Sequence, residues 1–491
     1  MTTCLQGILD TTRRGIIAAI VLLGAFTATA TLHFTAARPA PKWFTDGVMY
    51  QVQPRAFTAD GSLKAAAEKL PYLKETGVTI VYLLPVFKMD GKMDRSFWSP
   101  RQVKSGFNIP KNQYCIADYF HVDEEYGSDD DLRAFCRKAH ELGMRVIFDL
   151  VYFHCAPHAR ILDLIPDATR RNPDGSAKRG PWRFPRLNFA SKAVREYLLS
   201  NITYLMLEFG ADGFRCDVGP GIPIDFWIEA HDRMDALRPG DSILLCEGHM
   251  SNGQQRAFDA DYGWFPKMKD DAANIRRAWE WRERESDQGA RFVNHYENHD
   301  IATDSRPRRE AAWGHAFTDQ VLVWMFTVDG VPLLFNGNEI ADDDPKHSMF
   351  GHTPIDWTRL DGEVGKARHA FVRKLAALRA AHPVFTATSG YEGMAWLDVT
   401  APKSVTAFVR RMQGGETILV VQNWSDKEVE TDVKLDTAEP DFPSYVVNDD
   451  PVDRSIKGKP SDEPLMARAA TKTGPSSYRL GPYGFCVTSV R

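Results

Sequence analysis

Short apolar runs recur along the chain at Val48–Val52, Val78–Leu84, Val146–Val151, Gly213–Asp217, Ile243–Cys246, Phe258–Tyr262, Phe292–His295 and Val331–Phe335. Their lengths and bounding turn residues read as buried strands. Between most of them apolar residues return at three- and four-residue spacing, most clearly over Asp129–Leu142 and Ala193–Phe209, as on amphipathic helices. Strands alternating with helices predict an α/β fold, a parallel (β/α)8 TIM barrel over residues 45–390, closed by a helix at Lys366–Ala381. Past Tyr391 the pattern changes to short strands separated by turns: Val405–Arg410, Thr417–Gln422, Val429–Val433, Tyr445–Val447 and Phe485–Val490. These predict a C-terminal antiparallel β-sandwich over residues 391–491.

Two loops are long. Phe87–Gln113 follows the second strand, and residues 155–188 follow the third. The second loop carries the turn signals Asn172-Pro173-Asp174-Gly175 and Arg179-Gly180-Pro181-Trp182, so it reads as a small inserted subdomain of turns rather than a helix. In this architecture such loops line the site.

The N-terminus has another character. Arg13-Arg14 precede an apolar stretch from Ile16 that ends on Ala28-Thr29-Ala30, the layout of a secretory signal. The arginine pair also fits a twin-arginine route. A retained single-span anchor is the alternative, although the run is short for a bilayer. Residues 1–30 are therefore expected to be a signal peptide or membrane anchor and residues 31–44 a linker. The protein is expected outside the cytoplasm, secreted or periplasmic, and on a membrane only if that segment is retained. A composition 43% hydrophobic and 25% charged argues against disorder. A formal charge of -5 gives no reason to expect nucleic acid or an anionic membrane surface as partner. The seven cysteines lack metal-like spacing. Cys216 and Cys246 lie within strands and read as free buried thiols facing out of the barrel.

Three segments carry the candidate chemistry. Gly213–Asp217, Leu244–Glu247 and Tyr296–Asp300 each lead to an acid: Asp217, Glu247 and Asp300. Carboxylates at the ends of three strands form one acidic site at the barrel mouth. Mutual repulsion pushes their pKa values apart, so one stays ionised while another keeps its proton. Glycosidic cleavage needs that pairing of nucleophile and acid. Arg215, two residues before Asp217 on one strand, faces the same side and favours its carboxylate. Asp149, inside its strand, is placed to brace Arg215. Glu247 follows an apolar strand, and burial together with nearby carboxylates should raise its pKa.

At these residues the chain resembles the α-amylase family, glycoside hydrolase family 13. Phe148-Asp149-Leu150-Val151-Tyr152-Phe153-His154 is similar to the family's third-strand motif, and Gly213-Phe214-Arg215-Cys216-Asp217 to its fourth. Glu247 stands at the fifth-strand position, and Asn298-His299-Asp300 resembles the seventh-strand motif. Gly330–Glu339 resembles the eighth strand, and Tyr114, four residues before Asp118, matches the tyrosine that stacks on sugar. The resemblance implies Asp217 as nucleophile, Glu247 as acid/base and Asp300 as transition-state stabiliser. It implies Tyr114, His154, Arg215 and His299 as substrate-binding residues, with both histidines donating to sugar hydroxyls. The implied activity is retaining hydrolysis of α-glucosidic bonds, with an α-glucan or oligosaccharide as substrate. A transglycosidase of the same family and a non-catalytic membrane-anchored scaffold are the alternatives, the latter disfavoured because all three acids are kept.

Two departures bear on this. The family's third-strand motif has Asn before His, and that Asn often binds calcium. Phe153 stands there and offers no oxygen to a hard cation, so no cofactor is expected and the usual calcium site is in doubt. Many α-amylases carry Lys-His three and four residues after the nucleophile; Pro220 and Gly221 stand there. Trp98, Trp182 and Trp264 are assigned to loop packing, with further sugar contacts as the alternative. Asp342-Asp343-Asp344 is assigned to a solvated acidic loop rather than a cation site.

Overall fold

The computed structural model describes residues 37–264, 271–287, 289–304, 307–386, 393–412, 415–435 and 460–490. The expected signal or anchor and the expected strand Tyr445–Val447 lie outside them. Eight parallel strands close into a barrel in sequence order. They are β1 (Met49–Val52), β2 (Ile80–Leu83), β3 (Arg145–Leu150), β4 (Gly213–Cys216), β5 (Ile243–Cys246), β6 (Ala260–Trp264), β7 (Phe292–His295) and β8 (Val331–Phe335). All eight expected runs are strands, because a chain segment apolar on both faces is stable only between a packed barrel interior and an outer layer of helices.

The helices begin where the sequence caps them. In Asp129–Glu141, the Ser128 hydroxyl and the Asp131 carboxylate form a capping box, and three aspartates occupy the positive first turn. Ser191 caps Lys192–Glu208 by accepting from the Val194 amide. Glu363–Ala381 ends the barrel.

Register positions the chemistry. β3 pairs with β4 so that Asp149 lies opposite Arg215. β4 pairs with β5 through Cys216 and Cys246. The next residue on each strand is an acid, so Asp217 and Glu247 emerge side by side.

Several details differ from expectation. The supposed linker is already part of the barrel from Ala37 on: the Arg38 amide donates to the Gln254 carbonyl at 2.9 Å, and Lys42–Thr45 forms a helical turn that buries Phe44. The first long loop contains a strand, Phe87–Met89, paired antiparallel with Ile116–Val122, and a short helix, Pro100–Lys104. The second loop does contain a helical turn, Arg160–Leu164, before its turns and isolated bridges. Ile161 is the cause: it is fully buried, and one helical turn anchors it while the exposed flanks satisfy their backbone in water.

The C-terminal unit is one antiparallel sheet of β9 (Met394–Val399), β10 (Val405–Arg411), β11 (Thr417–Asn423), β12 (Val429–Lys434), β13 (Met466–Lys472) and β14 (Ser477–Ser489). β14 lets the sheet fold onto itself: its first part pairs with β12 and its last part with β11. Buried polar contacts fix this unit to the barrel. The Gln422 amide donates to the Gln320 carbonyl at 2.9 Å, and Arg410 donates to the Thr327 carbonyl at 3.1 Å. The six described cysteines are buried and free.

Candidate active site

One guanidinium organises the site. Arg215 is completely buried and its Nη1 donates to Asp149 at 2.7 and 2.9 Å and to Asp217 Oδ1 at 2.8 Å. Its Nη2 forms an ion pair with Glu247 Oε1 at 2.7 Å. Asp149 braces Arg215, as expected, and is itself held by the hydroxyls of Tyr82 at 2.7 Å and Tyr114 at 2.8 Å. Glu247 Oε2 accepts from the Val218 amide at 2.8 Å.

Protonation follows from burial and crowding. Burial, with the charge of Glu247 next, pushes Asp217 well above the ordinary carboxylate range; Arg215 opposes it. Burial also raises Glu247, with Asp300 adding to the rise against Arg215. The expectation that Arg215 favours the Asp217 carboxylate has the right sign, but its charge is divided among three acids and does not outweigh burial. Asp217 and Glu247 therefore titrate as a pair that keeps a proton above the usual range.

Asp300 behaves oppositely. Burial raises it, but His299 and Arg101 outweigh burial and hold it at about 2. His299 is itself depressed to about 4, chiefly by burial, so at neutral pH it carries no charge. Arg101 is then the standing cation, with Nη1 on Asp300 Oδ1 at 2.6 Å.

The tautomer of His299 can be deduced. Gln51 Oε1 accepts from the His299 amide at 3.1 Å, which turns its NH2 group toward His299 Nδ1, also at 3.1 Å. Nδ1 accepts, so Nε2 carries the proton and donates to the Tyr114 hydroxyl at 2.7 Å. That hydroxyl passes its own hydrogen to Asp149. His154 donates from Nε2 to the Tyr114 carbonyl at 2.8 Å, and burial depresses it to about 4. Both histidines were expected to donate to sugar hydroxyls; in this structure their N–H groups are engaged by Tyr114.

All the expected site residues except Arg215 line one cavity, which Arg101, Trp182, Phe184 and Phe350 complete. Arg215 lies beneath it. Trp182 is a wall of the cavity, 5.7 Å from the His154 ring. Trp98 is packing: it is buried and its indole donates to the Met93 carbonyl. Trp264 ends β6, and its side chain lies outside the described residues.

A family model described as the α-amylase catalytic domain matches residues 35–168. The chain is 28% identical to a cyclomaltodextrinase of Geobacillus thermopakistaniensis over 256 residues, which are 43% of this chain and 40% of that protein. It is 27% identical to the α-amylase MalA of Haloarcula japonica over 433 residues, 82% of this chain and 59% of MalA. The family model and the relatives thus agree in placing the chain's similarity with α-amylase-family enzymes. The chain spans about half the length of these two relatives. The fold matches a maltogenic α-amylase, AmyB, of Thermotoga neapolitana with a TM-score of 0.73 at 22% identity, covering 91% of this chain and all of that one.

Some features of this site differ from what the sequence predicts or went unnoticed in it. Asp342 is no part of a solvated loop. It is 2% exposed and paired with Arg308 at 2.6 Å and Arg359 at 3.4 Å, while Asp343 pairs with Arg359, so the acidic run anchors two arginines. Phe153, which stands where the resembling motif has Asn, is buried, with the Arg186 guanidinium 4.3 Å from the ring centroid. Sequence reasoning also passed over Gln51 and Arg101. Gln51 is a lone amide inside the apolar run Met49–Val52, a signal that could have marked it. Arg101 sits on the short helix Pro100–Lys104 of the first long loop, away from the strand-end motifs.

Proposed function

We propose that this protein is a retaining glycoside hydrolase acting on α-glucosidic bonds of maltooligosaccharides or α-glucans. The observation that carries the proposal is the joint hold of Arg215 on Asp217 and Glu247, at 2.8 and 2.7 Å, at the floor of a cavity that Asp300 also lines. Two carboxyl groups on one guanidinium support the close spacing of a retaining site, about 5–5.5 Å, over the wider inverting one. Asp217 attacks the anomeric carbon as Glu247 gives its proton to the departing oxygen. Glu247 then takes a proton from water, which displaces Asp217 from the glycosyl-enzyme. Asp300, held ionised by Arg101, accepts from ring hydroxyls and favours the positive charge that develops on the sugar. The Tyr114 ring, fixed on His299 at 5.2 Å between centroids, offers a face for the sugar. The names of the relatives, cyclomaltodextrinase and α-amylase, support α-glucosidic substrates.

Asp217→Asn and Glu247→Gln should each lower kcat by several orders of magnitude while the thermal transition is kept. Near-normal turnover of maltotriose by either variant would refute the assignment. Product analysis with an added sugar acceptor separates hydrolysis from transfer. The cavity shared by all three acids supports a working site over a scaffold. We place the protein outside the cytoplasm, on the strength of Arg13-Arg14, the apolar stretch and Ala28-Thr29-Ala30. N-terminal sequencing from the native host should find a start near Thr31; an intact Met1 in soluble cytosol would contradict export.

A further inference from the structure

Next to the catalytic cavity lies a second, larger groove of about 710 Å³, a size typical of ligand sites. The two share walls. Phe97 lines the groove while Ser99 and Arg101 line the cavity; Pro185 lines the groove while Trp182 and Phe184 line the cavity.

The groove is basic in a chain that is acidic as a whole. Between Arg170 and Arg186 stand Arg170, Arg171, Lys178, Arg179, Arg183 and Arg186, against one acid, Asp174. Five of these side chains are exposed and Arg186 is half-buried. None of the six makes an ion pair among the described residues, although most other arginines near the surface do. Asp174 is engaged by Ser176 instead, at 2.9 Å from its amide. Asp94 feels the charge of Arg179 without lying in ion-pair contact with it. The arginines are held by neutral groups: Arg171 donates to the Gly175 carbonyl at 3.1 Å and Arg179 to the Ser96 carbonyl at 3.3 Å. Arg179 also lies 3.7 Å over the Phe97 ring. Three of these basic side chains, Arg171, Lys178 and Arg179, line the groove, and among the described residues no acid lines it. Burial and the charge of Arg170 lower the pKa of Arg186, the mark of like charges crowded together.

We propose that this groove binds a glycan carrying anionic substituents, phosphate or carboxylate, whose chain end enters the catalytic cavity. Arg171, Lys178 and Arg179 take the anionic groups and Phe97 lies against a sugar face. Arginine forks suit phosphate and carboxylate alike. A glycan is favoured over other polyanions because the groove and the catalytic cavity are lined by neighbouring residues of the same two segments, Phe97 with Ser99 and Pro185 with Phe184. The inference rests on the glycosidase reading for that choice of ligand, while the binding itself is measurable without turnover.

The test is affinity electrophoresis of the full chain in gels containing amylopectin phosphorylated at C6, the same amylopectin after phosphatase treatment, or polygalacturonate. The wild type should bind the phosphorylated glucan at least tenfold more tightly than the phosphatase-treated one, and the preference should shrink when salt rises from 50 to 200 mM. Retention by polygalacturonate as well would assign the site to anionic glycans generally; retention by the phosphoglucan alone would assign it to phosphate. Arg171→Ala/Lys178→Ala/Arg179→Ala should remove the preference with its thermal midpoint kept, and Arg171→Lys/Arg179→Lys should retain part of it. Equal binding of the charged and neutral glucans, or an unchanged preference in the triple variant, would overturn the proposal. So would tighter binding to a DNA duplex or to phosphatidylglycerol vesicles than to any glycan. Maltotriose hydrolysis by the same wild-type protein tests the glycosidase reading separately.

Discussion

Four carboxyl groups, Asp149, Asp217, Glu247 and Asp300, face two guanidinium groups, Arg215 and Arg101. With more anions than cations in a buried space, one proton must be retained, and the raised pair of Asp217 and Glu247 retains it. Arg101 decides how strongly. The charge of Asp300 raises Glu247, and Arg101 offsets that charge. Asp300, near 2 in the native protein, would rise in Arg101→Ala yet stay ionised at neutral pH, so its uncompensated charge would push Glu247 further up. The alkaline limb of the kcat/KM profile, where the acid loses its proton, should therefore move to higher pH. Arg101 and Asp300 are 28% and 30% exposed, so solvent screening keeps the shift small. Arg101→Lys should stay close to the wild type. An unmoved limb in Arg101→Ala would show that Arg101 does not tune the acid.

The elements show why some of this was legible in sequence. The barrel strands were readable because a strand between two apolar layers has no polar face to confuse its pattern. Asp217 and Glu247 were readable because each directly follows such a strand, and Asp300 because it ends the Asn298-His299-Asp300 run shortly after β7. β13 was missed for the opposite reason. β13 alternates half-buried and exposed residues, and its Met466–Lys472 run is mostly Ala, Arg, Lys and Thr. Its stability comes from pairing along both parts of β14, which no local pattern reports. The hydrogen bonds that tie both histidines to Tyr114 were equally hidden, since they join residues distant in sequence. At this scale Phe153 yields a prediction. A Cβ on Gly221 would lie 2.6 Å from the Phe153 ring, so the ring is tightly enclosed between the turn after β4 and Arg186. An apolar ring under a guanidinium packs these loops together. We propose that the fold needs no calcium here. The thermal midpoint should be the same with and without EDTA; a drop reversed by added calcium would overturn this.

Across the whole molecule, the loops on the mouth of the barrel bear on which substrates reach the acids. The loop after β2 brings Ser99 and Arg101 over the cavity, and Met349 and Phe350 close it from the segment after β8. Where the resembling motif has Lys-His, Gly219–Gly221 form a tight turn here. The enclosed Phe153 ring explains why: no larger residue fits at position 221, and neither Pro220 nor Gly221 has a side chain that can donate to a leaving sugar. A long neutral starch chain thus gains few contacts beyond the cavity, since the neighbouring groove is lined for charge rather than for neutral sugar. We expect kcat/KM to be highest on maltose to maltotetraose or other short α-glucosides and to fall on soluble starch, expressed per chain end. Trp182, already a wall of the cavity, is an aromatic residue placed to extend it. Trp182→Ala should therefore raise KM for maltotetraose more than for maltose. A steady rise of kcat/KM with chain length up to starch would mean that the mouth opens to polymers and that the turn at Gly219–Gly221 does not limit them.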